Sequence, residues 1–66
     1  MSNLGQKLRQ IREQRGLTLT AAARLAEMDK STLCGIELGR AEPSMAGLRR
    51  LALILNCEIV IRRKAA

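Results

Sequence analysis

Ala22, Ala23 and Ala26 stand on one side of a helical register that begins behind Thr18. A helix whose buried side carries only methyl groups lets another helix approach its axis closely, so this segment needs a close helical neighbour. Thr18 is a good N-cap, although Ala21 occupies the position where a capping box places Glu, so the helix start depends on packing more than on local signals. This helix is expected to run to about Glu27. A turn at Glu27 and Met28 then leads to Asp29, the expected N-cap of a further helix that Gly39 ends. Two short helices joined by so brief a turn make a helix-turn-helix.

The flanks complete a small helical domain. Asn3 is the expected N-cap of a first helix reaching about Arg15, with Gln6 as reciprocal partner, Gly16 as left-handed stop and an apolar stripe of Leu4, Leu8 and Ile11. Pro43 and Ser44 open a last helix in which Leu48, Leu51, Ala52 and Leu55 recur at helical spacing and close the core. Leu53 and Ile54 fall off that stripe. After Asn56 the period changes, and Cys57, Ile59 and Ile61 alternate with Glu58, Val60 and Arg62 as in a strand. A lone strand cannot satisfy its own backbone N–H and C=O groups. Pairing with the same strand of a second copy around a two-fold axis resolves this and also covers Leu53 and Ile54.

The expected class is therefore all-α, a compact helix-turn-helix domain of four to five short helices whose C-terminal β-strand pairs across a homodimer. The chain is expected to divide into a domain at 1–56, a dimerisation strand at 57–62 and a basic tail at 63–66. The expected dimer interface is Leu53, Ile54, Cys57, Ile59, Val60 and Ile61. At 66 residues there is room for one core only, and such a small core gains from a partner's added burial.

Charge narrows the function. Twelve Lys and Arg against six Asp and Glu leave a net +6, the footprint of a polyanion binder. An anionic membrane is the rival to nucleic acid, but the cations are scattered and no Trp, Phe or Tyr is present to anchor an interfacial helix. No apolar run spans a bilayer and the first residues lack a signal-peptide core, so a cytoplasmic protein with no membrane partner is expected. The lack of aromatic rings also argues against modules that stack unpaired bases, whereas double-stranded DNA requires none. With no His, and with Cys34 and Cys57 outside any CxxC spacing, no metal site or cofactor is expected, and the two thiols should be free. Without a nucleophile motif or paired carboxylates, the chain is not expected to be an enzyme.

The helix after Asp29 inverts the usual surface pattern. Leu33, Ile36 and Glu37 share its inner face, while Ser31, Cys34, Gly35 and Leu38 turn outward. A carboxylate is aimed inward and the outer face is nearly bare.

With GLTLTAAARLAEMDKSTLCGIELGRAEPS and LRRLALIL placed, the chain resembles the helix-turn-helix family of phage Cro and lambda-type repressors, the XRE-type regulators, over about Leu4 to Leu55. The resemblance lies in Leu8, Arg12, Gly16, Leu17, Thr18, Ala23, Ser31, Thr32, Ile36, Glu37, Gly39, Pro43, Ser44, Leu51 and Ala52. It implies a structural ion pair between Arg12 and Glu37. It also implies that the third helix enters the major groove N-terminus first, with Lys30, Ser31, Cys34 and Gly35 near base edges and Thr32 near the backbone. Lys can donate to guanine O6 and N7, Ser to either edge, Cys34 can touch a thymine methyl, and Gly35 admits close approach. Phosphate contacts are implied at the N–H groups after Thr18 and at Arg40. Arg9, Arg24, Arg49 and Arg50 could be no more than solvated charges, the usual fate of surface Arg, and none is singled out as a phosphate contact.

Three residues depart from the family pattern. Leu19 replaces a usual phosphate-contacting Gln, Leu38 replaces a polar residue, and Glu27 replaces the habitual turn Gly, which suggests a slightly different turn. The terminal strand resembles that of HipB-type antitoxins. This implies a sequence-specific repressor that binds a palindromic operator, controls its own toxin–antitoxin operon and holds a HipA-like kinase toxin. The alternatives are a stand-alone phage-type repressor or restriction–modification controller, and a protein-interaction adaptor that has lost DNA readout.

Overall fold

The computed structural model describes residues 4–60, which form α1 (Leu4–Gln14), α2 (Leu19–Leu25), α3 (Lys30–Glu37) and α4 (Met45–Ile54). The architecture is all-helical, with α2 packed on α3 and α4, and α1 packed on α3. Leu8, Ala22, Ala23, Ala26, Leu33, Ile36, Leu51 and Leu55 are buried together in the core. Leu4, Ile11, Leu17, Met28 and Leu48 close its edges. The three alanines are 2 % exposed or less, so the methyl-only face of α2 is sealed by its helical neighbours. Among the described residues no helix is long and apolar enough to cross a membrane.

Each helix ends the same way. The residue after the C-cap takes a positive φ, and its N–H and that of the next residue bond back to two of the last carbonyls. Gly16 (φ 72°) and Leu17 bond Glu13 and Arg12, and Gly39 (φ 77°) and Arg40 bond Ile36 and Gly35. Glu27 (φ 57°) and Met28 bond Arg24 and Ala23, and Asn56 (φ 54°) and Cys57 bond Leu53 and Ala52. The expectation of a different turn at Glu27 is thereby corrected. Glu27 adopts the left-handed conformation that a glycine would take there, and α2 stops at Leu25, with Ala26 as its C-cap, to reach it.

The helix starts differ from one another. Thr18 Oγ1 accepts from Ala21 N and Ser44 Oγ from Gly47 N, both at 3.0 Å. Asp29 holds the extended N-cap conformation but its side chain makes no cap hydrogen bond, so α3 starts on backbone geometry alone. Asn3 lies outside the described residues.

Sequence spacing gave no sign of one contact that sets the position of α1. Gly5 is buried against the end of α3, and a Cβ there would overlap the Ile36 carbonyl oxygen and lie 2.9 Å from that of Glu37. The backbones of the two helices therefore touch directly.

The C-terminal expectations are corrected in part. Ile54 does not fall away from the core but packs partly against it, as does Cys57. Cys57 to Val60 form no strand, because a single copy supplies no ladder partner. Ile61 and the basic tail lie outside the described residues.

Candidate nucleic-acid interface

The inward carboxylate of α3 has its partner on α1. Arg12 Nε donates to Glu37 Oε2 at 2.7 Å and Nη2 to Oε1 at 3.0 Å, a two-pronged ion pair with side chains only 12 % and 6 % exposed. Arg12 Nη1 also donates to the Leu17 carbonyl at 2.9 Å, so one guanidinium ties α1, the end of α3 and the segment entering α2. The hydrogen bond and the charge of Glu37 hold the Arg12 guanidinium above its ordinary pKa, against a smaller opposing effect of burial.

A second arginine secures the turn between α2 and α3. Arg50 on α4 donates from Nε to the Ala26 carbonyl at 2.7 Å, at the end of α2. The reading of Arg50 as no more than a solvated charge is corrected: it occupies a carbonyl that the helix end leaves short of donors. Residue spacing carries no trace of this, because the two groups are 24 positions apart and meet only when α4 packs on α2. Arg9 lies 3.5 Å from Glu13 in an exposed pair, and Arg24 and Arg49 are exposed.

With its inner face so fixed, α3 turns its other side to solvent. Lys30, Ser31 and Thr32 at its N-terminal end are exposed, Cys34 and Gly35 are half-buried, and Leu38 is exposed. Lys30 opens the helix and Arg40 follows its last turn, so an exposed cation lies at each end. Thr18 is exposed at the start of α2, where the first-turn N–H groups of Leu19 and Thr20 have no carbonyl a turn earlier to bond. The Leu19 side chain packs partly on the core, so at that position the backbone amide is the polar group offered to a ligand. The arrangement can place a narrow helix against a polyanion with cations at both ends and amides at its flank.

The chain matches the family described as a helix-turn-helix domain over residues 3–63. Among solved structures it is similar to the restriction-modification controller protein C.AhdI from Aeromonas hydrophila, with 34 % identity, 85 % of each chain covered and a TM-score of 0.82. It is also similar to SinR, the master regulator for biofilm formation, solved in complex with DNA, with 30 % identity, 83 % of this chain and 89 % of that chain covered and a TM-score of 0.79. No match is found among curated proteins. The matched family, the paired neighbours and the anchored α3 make this chain a member of the helix-turn-helix family of XRE-type DNA-binding regulators.

Proposed function

We propose that the protein is a homodimeric, sequence-specific repressor of transcription that binds a palindromic operator in double-stranded DNA. The observation that carries this reading is the division of α3. Leu33, Ile36 and Glu37 are locked into the fold, while Lys30, Ser31 and Thr32 stand free of it at the end that would lead into the major groove. Lys30 and Ser31 supply the polar reach toward bases, with Cys34 and Gly35 beside them. Thr32, Arg40 and the amides after Thr18 hold phosphate. An adaptor that had lost DNA readout would have no use for so firmly held a helix with cations at both ends.

The dimer follows from apolar surface that a single copy leaves in water. Leu53 is 81 % exposed and Val60 is 60 % exposed, and Ile59 stands beside a groove of about 320 Å³ lined also by Leu8, Ile11, Leu48 and Ala52. A second copy related by a two-fold axis covers both groups and gives the segment from Cys57 onward a ladder partner. Among regulatory roles, control of a restriction–modification operon stands ahead of the antitoxin role. The first is supported by likeness to C.AhdI across 85 % of both chains, the second only by the terminal segment.

Selection from random duplexes tests the proposal. The purified protein should enrich a palindrome whose half-site centres lie about 34–36 Å apart, one turn of the duplex. Recovery of no preferred sequence at moderate salt would leave the adaptor as the better account.

A further inference from the structure

We propose that Gly35 is a specificity-determining position, at which the absent side chain leaves room for the C5-methyl group of a thymine in the major groove. This rests on the DNA-binding reading above. A glycine inside a helix weakens it relative to alanine, and the fold does not require the glycine here. A Cβ at Gly35 would meet only the Cβ of Ala41, at 3.8 Å, an ordinary van der Waals contact. Gly5 is the opposite case, where a Cβ would run into the backbone of α3. The space over Gly35 is thus not needed for packing and lies on the outward side of α3.

The surroundings select the occupant. Cys34 adjoins the position, Leu38 one turn on is 53 % exposed, and Ala41 closes the far side. The Gly35 carbonyl already accepts from Arg40 N at 2.9 Å and Ala41 N at 3.3 Å. The Gly35 backbone therefore has no free acceptor to offer a polar base edge, whereas a methyl group needs no partner and loses only apolar hydration. Thymine is the base that presents a methyl group in the major groove.

The test compares the unaltered protein with Gly35→Ala on the selected operator, on a scrambled duplex, and on operators in which each thymine is replaced in turn by deoxyuridine. Gly35→Ala should melt at or above the temperature of the unaltered protein, and any loss on the scrambled duplex should be smaller than its loss on the operator. On the operator it should bind about tenfold more weakly. One deoxyuridine replacement should weaken the unaltered protein several-fold and affect Gly35→Ala little. The deoxyuridine scan needs no variant, so silence at every thymine overturns the proposal even if Gly35→Ala folds poorly. The loss of one thymine's effect in Gly35→Ala assigns that contact to Gly35 rather than Cys34. If Gly35→Ala loses no operator affinity, or if every replacement is silent, the proposal is overturned while the operator-binding reading stands. If the unaltered protein prefers no sequence, both fall.

Discussion

Arg12 makes three hydrogen bonds with one planar group, two to Glu37 and one to Leu17, and this accounts for a carboxylate on the inner face of a helix. Removing one partner strands the other charge where little water reaches it. Glu37→Ala should therefore lower stability by about 2–4 kcal/mol, and the double variant with Arg12→Ala should lose less than the sum of the single losses. Urea unfolding of the four proteins measures this, and additive losses would show that the pair is not coupled. Because the folded state raises the pKa of Arg12, the stabilisation linked to the Arg12 proton is fully present below the unfolded-state value and is lost only as pH rises through the folded one. The Arg12 shift therefore gives no pH switch near neutrality. Glu27 holds φ at 57° without the freedom of glycine. Replacing it with glycine should stabilise the domain by about 1 kcal/mol, a rise of about 4–8 °C in melting temperature. An unchanged or lowered melting temperature would show that the Glu27 side chain contributes more than its backbone costs.

The helices themselves were legible in the sequence because local chemistry sets them. Thr18, Ser44, Gly16 and Gly39 mark ends where caps or left-handed turns are required, and the stripes of α1 and α4 follow helical spacing. What the spacing hid depends on how the elements meet. Ile54 sits beside the ideal stripe of α4, yet the last turn brings it and Cys57 onto the core. Arg50 reads as a surface charge until α4 is laid across the end of α2. Gly5 reads as a weak point in α1, whereas it is the contact that lets α1 rest on the α3 backbone. Gly5→Ala should accordingly cost about 3 kcal/mol or more, since no rotamer change relieves a clash with backbone. Chemical denaturation checks it, and a loss no larger than that of an exposed surface change would mean that the two helices can part at little cost. The alternation from Cys57 reads as a strand, yet Cys57 to Val60 form none in one copy, because strand pairing needs a second chain.

At the scale of the whole molecule, a net charge of +6 draws the protein to any duplex, and the fold decides which part of that attraction discriminates. The ion pair on the inner face of α3 and the Arg50 contact on the preceding turn anchor the helix, and in the proposed reading Lys30 and Ser31 are the donors that it presents to bases. Arg40 lies beyond the helix and has charge without that fixed register. The candidate interface was legible only where resemblance to a known family supplied a docking direction. The bareness of its outer face was visible at once, but its meaning was not. The most direct measurement is a titration of the selected operator and a scrambled duplex by the unaltered protein, Lys30→Ala and Arg40→Ala over a series of salt concentrations. Lys30→Ala should lose about 1–3 kcal/mol on the operator and little on the scrambled duplex, while Arg40→Ala should lose similarly on both and show a shallower salt dependence. Equal effects of the two variants on both duplexes would contradict the account, because base reading and phosphate holding would then not be divided along α3.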